Sequence, residues 1–173
     1  KKVVNHLTGE NEAQKRNMLV EAARIARGDI KPLRELTARD ADVLIFPGGI
    51  GAALNLCSFA QDGASCEVLK EVSDVITDFH ASGKPMGFIC IAPAIAAKVL
   101  GHRGVELTIG SDAGTAASLQ AMGAVHVKKA VQEIHVDERN RVVSTPAYML
   151  GKNIAEVEEG ISLLVEELLE MAQ

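Results

Sequence analysis

A single cysteine at the junction of a strand and a helix is the residue best placed for chemistry. Cys90 follows the apolar run Met86–Ile89, and a helix is predicted to begin directly afterwards with Pro93 in its first turn. This order is typical of a nucleophile elbow, in which a sharp turn presents the nucleophile at the carboxyl edge of a sheet. The positive end of the following helix favours a thiolate. The alternative is a small buried side chain that serves packing alone.

A glycine-containing loop after the preceding predicted strand offers a second part of the same site. Residues 47–49, Pro-Gly-Gly, follow the apolar run 43–46, so free backbone N–H groups are expected at the same sheet edge. The amide of Gly49, together with that of Ile91, is suited to hold an oxyanion beside the sulfur. A dinucleotide-binding loop is the competing interpretation. Residues 49–54 carry only the first two glycines of that fingerprint, which makes it a weak match.

The other polar candidates have simpler interpretations. His126 and His135 lie in predicted strands, where hydrogen-bonded structural histidines are more common than bases. Their spacing does not match a metal site, and we predict none. Cys57 and Cys66 are interpreted as packing residues. Asn55, shortly after the glycine loop, could contact a small polar substrate or serve only the local turn.

Alternating strands and helices must position these residues. Helices are predicted at 12–26, 66–82, 92–100, 115–122 and 153–172, with a further helix start at 51–56. Strands are predicted at 43–46, 86–89, 106–109, 125–127, 134–136 and 142–144. The last two flank a polar turn and indicate a hairpin. The pattern predicts one α/β domain over residues 1–173 with a mostly parallel sheet.

Composition excludes several classes of partner. The 173 residues are 47% hydrophobic and 24% charged, an ordinary balance for a globular chain. Only 3% are aromatic and the net charge is −5, so we expect no nucleic-acid partner. No apolar run approaches the roughly 20 residues that span a bilayer, so no membrane partner is expected. Three cysteines without CxxC spacing favour a reducing compartment.

Several segments together resemble the ElbB family, the isoprenoid-biosynthesis proteins with an amidotransferase-like domain. This family lies in the class I glutamine amidotransferase-like superfamily, on the branch with PfpI and the parkinsonism-associated deglycase. The resemblance runs from about residue 3 to the end of the chain. The segments that carry it are VNHLTGE at 4–10, EAARIARG at 21–28, VLIFPGG at 43–49, GAALNL at 51–56, GKP at 83–85, FICIAPA at 88–94 and STPAYM at 144–149.

The resemblance implies a flavodoxin-like three-layer sandwich, a homodimer, and no metal or organic cofactor. It implies that Cys90 is the nucleophile and that Gly49 and Ile91 supply the oxyanion-hole amides. Members of the family are described as glutathione-independent glyoxalases, which convert glyoxal to glycolate, or as deglycases. A small dicarbonyl substrate is therefore expected, in the cytoplasm or in a mitochondrion. The candidate pocket residues are Gly48, Asn55 and Pro146.

Two departures from the superfamily pattern bear on the reaction. Ala92 stands where many members have glycine, which keeps a small residue at the elbow. Residues 108–110, Thr-Ile-Gly, occupy the region where amidotransferase triads place a histidine, so true glutaminase activity is not expected. Two rival functions use the same fold. One is a redox or carbonyl sensor in which Cys90 is modified; the other is a scaffold that influences isoprenoid metabolism by binding.

The resemblance also places a glutamate partner of the cysteine upstream of Lys1. The first predicted buried parallel strand is 43–46, and an open edge on an apolar strand favours aggregation. We therefore expect an upstream segment of roughly 40 to 50 residues that supplies a strand, a helix and a second strand. The alternative is a second subunit that covers this edge. Asp112 and Glu10 are then the candidate carboxylates by their position in the chain.

Overall fold

The computed structural model describes residues 3–173, which divide into two compact units, 3–36 and 37–173. In the first unit a two-residue strand, β1 (Val3–Val4), pairs antiparallel with β2 (Asn11–Glu12). Helix α1 (Met18–Ile25) and a short 3₁₀ turn (Leu33–Glu35) complete this unit. None of the described residues of this unit is fully buried.

Helix α1 begins later than the predicted residue 12. The side-chain oxygen of Asn17 accepts hydrogen bonds from the N–H groups of Leu19 and Val20, at 2.9 and 3.3 Å. Such a cap fixes the first helical residue, and the preceding segment pairs as β2 instead. Helix α1 ends at Ile25, close to the predicted residue 26. Gly28, which has φ +87°, then reverses the direction of the chain.

The second unit contains a four-stranded sheet. Its strands are β3 (Leu44–Phe46), β4 (Met86–Ile89), β7 (His135–Asp137) and β8 (Val142–Thr145). The order across the sheet is β3-β4-β8-β7, with the first three parallel and β7 antiparallel to β8. The predicted hairpin is thus confirmed. A separate parallel pair joins β5 (Glu106–Leu107) to β6 (Val125–His126).

Helices and short turns connect these strands. They are a π-helix (Ala52–Leu56), α2 (Phe59–Asp62), α3 (Lys70–Ala81), α4 (Pro93–Leu100), α5 (Ala113–Ala121) and α6 (Ile154–Met171). The prediction that α3 starts at residue 66 is wrong because Val68 instead forms an antiparallel bridge with Cys57. The buried face of α3 consists of Val72, Val75, Ile76 and Phe79.

Helix α6 covers one face of β4 and β8. A Cβ atom at Gly87 would lie 2.6 Å from a methyl carbon of Leu168 and 3.0 Å from one of Leu164, so only glycine lets the helix approach this closely. Leu164 and Leu168 are buried in a cluster with Ile89 and Val143. Helix α4 packs against β4 and against α3 and α5. The predicted α/β architecture with a mostly parallel sheet is confirmed.

Strand β3 lies at one edge of this sheet. Within residues 3–173 it pairs only with β4, and its Phe46 ring stacks on Phe88 at a centroid distance of 5.3 Å. Phe46 is buried as predicted, whereas Leu44 and Ile45 remain partly exposed because their strand has a neighbour on one side only. The upstream segment stays a prediction. No described helix is both long and apolar enough to cross a membrane.

Candidate nucleophile site

Cys90 occupies a sharp turn between β4 and α4. Its backbone adopts φ +61°, a left-handed conformation that costs a side-chain-bearing residue about 1–2 kcal/mol. The Cys90 N–H donates to the carbonyl of Thr145 at 3.0 Å, and the Ala92 N–H donates to the carbonyl of Ile89 at 3.0 Å. These bonds hold the turn at the carboxyl end of β4. Strained residues of this kind cluster at functional sites, and Cys90 is partly exposed.

Gly48 packs directly against this turn. Its φ is +83°, and a Cβ atom there would overlap the carbonyl oxygen of Ile89 and lie 3.1 Å from the Cβ of Cys90. No side chain could shift to relieve the overlap, because the obstacle is backbone. Glycine at position 48 is therefore required for the loop after β3 to reach the cysteine.

The loop after β3 and the cysteine turn carry backbone N–H groups that have no acceptor among the described residues. The N–H groups of Gly49 and Ile91 donate to no residue in the described part of the chain. Gly49 also has φ +83°, but open space surrounds the position of a Cβ there. Its carbonyl accepts the N–H of Ala52 at 3.0 Å, which leads the loop into the π-helix. Free N–H donors beside a nucleophile can stabilise a developing oxyanion.

The remaining predicted pocket residues lie in two places. Pro146 is buried and directly follows Thr145, the acceptor of the Cys90 N–H. Asn55 lies in the π-helix, which contacts α4, and its Oδ1 is buried without a hydrogen-bond partner among the described residues. Single π-turns occur frequently at functional sites. The structure thus places Gly48 against the cysteine turn and Pro146 directly after the residue that accepts the Cys90 N–H, while no described contact joins Asn55 to the cysteine.

The carboxylates suggested by chain position do not bond to the sulfur. No described side chain makes a hydrogen bond to Sγ of Cys90. Asp112 instead caps α5, where its Oδ1 accepts the N–H of Thr115 at 2.7 Å. Hydrogen bonding from Thr115 holds the pKa of the Asp112 carboxyl below its usual value. Glu10 belongs to the first unit, where its N–H donates to the hydroxyl of Thr8.

The other two cysteines lie in the interior. Cys57 is 5% exposed and Cys66 is fully buried, as expected for packing residues. Burial raises the pKa of both thiols above the ordinary value. Because the thiolate is the reactive form, burial suppresses reaction at both positions through access and through ionisation.

We expect iodoacetamide to modify Cys90 at least about tenfold faster than Cys57 or Cys66 near neutral pH. Cys90 is partly exposed, whereas the other two thiols are buried and harder to ionise. Peptide mass spectrometry at limiting reagent measures the order of labelling. In urea all three should react at similar rates, which serves as the control. Earlier labelling of Cys57 or Cys66 in the folded protein would show that the elbow is misassigned.

The two strand histidines differ in their surroundings. Nε2 of His135 lies 3.0 Å from a carboxylate oxygen of Glu106, which fits the predicted hydrogen-bonded role. Nε2 of His126 is buried with no partner in residues 3–173, so that prediction is wrong for this atom. Desolvation lowers the pKa of His126, because burial disfavours the charged ring. Across the described residues, no three His, Cys, Asp or Glu side chains group together as a metal site.

Sequence reasoning missed the part played by Thr145. Its carbonyl fixes the Cys90 N–H, and its Oγ1 donates to the carbonyl of Glu133 at 3.0 Å. The sequence analysis assigns no role at the cysteine turn to Thr145 itself. The pairing of β4 with β8, two strands more than 50 residues apart, was the missing information.

Comparison with known proteins places these features in a family, although no family model matches the sequence. The human mitochondrial glutamine amidotransferase-like class 1 domain-containing protein 3 is 48% identical over 179 residues, covering 98% of this chain and 66% of that protein. The rat mitochondrial ES1 protein homolog is 47% identical with the same coverage. The chain thus spans just under two thirds of the length of these two relatives.

Solved structures extend the comparison. The isoprenoid biosynthesis protein with amidotransferase-like domain from Ehrlichia chaffeensis is 32% identical and superimposes with a TM-score of 0.90, covering 100% of this chain and 79% of that one. The Francisella tularensis Rapid Encystment Protein of 24 kDa shares the fold, with a TM-score of 0.54 at 15% identity. The match to the Ehrlichia structure confirms the predicted flavodoxin-like fold. The chain belongs to the class 1 glutamine amidotransferase-like family.

Proposed function

We propose that the protein is a cysteine-dependent glyoxalase that converts glyoxal to glycolate without glutathione. One observation carries the proposal: a partly exposed cysteine at φ +61° lies in the turn that the Gly48 loop packs against. The free N–H groups of Gly49 and Ile91 lie in the same two loops. Membership of the amidotransferase-like family supports a nucleophilic role for this cysteine.

The proposed reaction needs no external oxidant. The Cys90 thiolate adds to one aldehyde carbon of glyoxal, and the oxyanion of the resulting hemithioacetal accepts hydrogen bonds from the Gly49 and Ile91 amides. A base then moves the proton from that carbon to its neighbour, which oxidises the first carbon and reduces the second. The product is a glycolyl thioester. Water hydrolyses it to glycolate and restores the thiol.

Incubation of the full chain with glyoxal, in the absence of glutathione, tests the proposal. We expect many equivalents of glycolate per protein, measured by NMR. Protein alkylated beforehand at Cys90 is the control and should give no glycolate above the buffer rate. Consumption of one equivalent of glyoxal per cysteine, with no glycolate released, would rule out the enzyme.

That outcome would favour a carbonyl or redox sensor. A specific observation supports this second candidate: Sγ of Cys90 has no hydrogen-bonding acid or base among the described residues. A sensor needs only an accessible thiol that forms a stable adduct, whereas an enzyme needs proton transfer at each turnover.

A finer family placement and a location are also proposed. The Ehrlichia protein, at 32% identity, supports membership of the ElbB group and a link to isoprenoid biosynthesis. The human and rat relatives are both named as mitochondrial, which supports a mitochondrial location. Fractionation of cells that express the full-length protein tests the location. Recovery in the cytosolic fraction alone would contradict it.

We further propose a homodimer of single-domain protomers. The segment 50–56 contains one polar side chain, and Ile50 at its start is 59% exposed. Ala52 and Ala53 are buried, so Ile50 is the exposed apolar side chain of this segment that a second copy could contact. Light scattering at micromolar concentration should give twice the mass of 18.3 kDa. A monomer mass, unchanged on concentration, would contradict the proposal.

A further inference from the structure

A cavity in the second unit is lined by residues outside the proposed nucleophile site. It has a volume of about 440 Å³. We refer to it as the lysine pocket. It is lined by Ser111, Lys128, Lys129, Ala130, Glu133 and Leu150.

The lysine pocket lies where three strands end. Ser111 follows β5, the two lysines follow β6, and Leu150 comes shortly after β8. Ligands of open α/β sheets bind at the carboxyl ends of the strands. The segments that follow these three strands converge on the cavity. Small-molecule sites in α/β proteins are commonly built in this way.

One wall of the pocket is apolar and closely packed. Gly110 has φ +92°, and a Cβ atom there would lie 2.6 and 2.7 Å from side-chain carbons of Leu150. The absence of a side chain at Gly110 lets Leu150 pack against the segment after β5. Ligand sites commonly combine such an apolar wall with a few charged groups.

The charged groups of the pocket favour an anion. Neither Lys128 nor Lys129 forms an ion pair with any residue of the described chain. The carboxylate of Glu133 is held at the wall, where its Oε2 accepts the N–H of Ala130 at 2.6 Å. Two cations against one fixed carboxylate leave a net positive charge. Ammonium groups bind phosphate and carboxylate oxygens through charge-assisted hydrogen bonds.

We propose that the lysine pocket binds a small molecule through its phosphate or carboxylate group. None of the residues that line it belongs to the proposed nucleophile site, so the proposal does not depend on the glyoxalase reaction. It assigns the protein a second, anionic ligand. Lys129, which is half-buried, anchors the anion, and the more exposed Lys128 adds charge at the rim.

Titration of the ¹⁵N-labelled chain with inorganic phosphate and, separately, with acetate tests the proposal at low ionic strength. Saturable shifts are expected at the amides of Ser111, Lys128, Lys129 and Leu150. Tighter binding of phosphate would indicate a phosphate ligand, and tighter binding of acetate would indicate a carboxylate ligand. Folding of each variant is checked in the same spectra.

Variants that remove either a positive or a negative charge distinguish binding in the lysine pocket from nonspecific attraction to surface charge. Lys129→Gln and Lys128→Gln should each weaken anion binding about three- to fivefold. Glu133→Gln keeps an oxygen for the Ala130 N–H but removes the opposing charge, so it should tighten binding by a similar factor. Lys152→Gln makes the same charge change at an exposed lysine, and we expect less than a twofold effect from it, because Lys152 does not line the cavity.

Three results would overturn the proposal. They are the absence of saturable shifts with either anion, an equal loss in Lys152→Gln and Lys129→Gln, and weaker binding in Glu133→Gln. None of these depends on glyoxal turnover, so the lysine pocket and the proposed enzyme activity fail or succeed separately.

Discussion

Replacement of Cys90 by serine should reduce glyoxal turnover about a thousandfold or more, because the hydroxyl that replaces the thiol is a poor nucleophile without a neighbouring base. No described side chain hydrogen-bonds to this position to activate a hydroxyl. The exchange is nearly isosteric, so the free energy of unfolding should change by less than about 1 kcal/mol. The measurement is kcat/KM for glyoxal, with urea unfolding of the same samples.

Two further variants separate nucleophile loss from damage to the fold. Cys57→Ala removes a buried thiol outside the turn and should keep most of the turnover. Cys90→Gly should lose activity as fully as Cys90→Ser, yet be no less stable than the parent, because glycine adopts φ +61° without steric cost. Turnover within tenfold of the parent in Cys90→Ser would show that the chemistry lies elsewhere.

Substitution of Gly48 by alanine should remove most of the reactivity of Cys90 and destabilise the protein. The added methyl would overlap the carbonyl oxygen of Ile89 and crowd the Cβ of Cys90. Since both obstacles belong to the cysteine turn, relief of the overlap must displace that turn. Loss of correct geometry by about 1 Å can cost about a hundredfold in rate. Iodoacetamide labelling and glyoxal turnover report the effect on the site.

Gly49→Ala is the matched control. Gly48 and Gly49 both have φ +83°, so alanine carries the same backbone penalty at each position. Only Gly48 lacks space for the methyl, and the difference in unfolding free energy between the two variants should be about 1–3 kcal/mol. Equal losses of stability and of Cys90 reactivity would show that backbone strain alone is responsible and that the loop does not support the cysteine.

Local patterns in the sequence determined the elements around Cys90. The run Met86–Ile89 is apolar, Pro93 suits a first helical turn, and only residues 90–92 separate them, so strand, turn and helix follow from short-range sterics. The buried face of α3 follows in the same way from helical periodicity. These features depend on residues within a few positions of one another, and the sequence alone predicts them.

Helix starts were less predictable because competing local bonds decide them. The Asn17 cap delays α1, and the bridge between Cys57 and Val68 delays α3 until Lys70. Before α3 the apolar spacing continues through residues 66–69, whereas residues 12–17 before α1 are polar apart from Ala13. A side-chain hydrogen bond or a strand contact sets the first residue of each helix, and hydrophobic periodicity does not reveal either one.

Tertiary structure alone decided which groups surround Cys90 and where the lysine pocket forms. Thr145 reaches Cys90 only because β8 pairs with β4, and the lysine pocket exists only because β5, β6 and β8 end together. Neither arrangement has a local signal, since strand order depends on chain closure over tens of residues and on which faces the helices cover. The sequence therefore predicted the turn that carries Cys90, the proposed nucleophile, while long-range packing determined the groups that hold this turn and the cavity proposed to bind an anion.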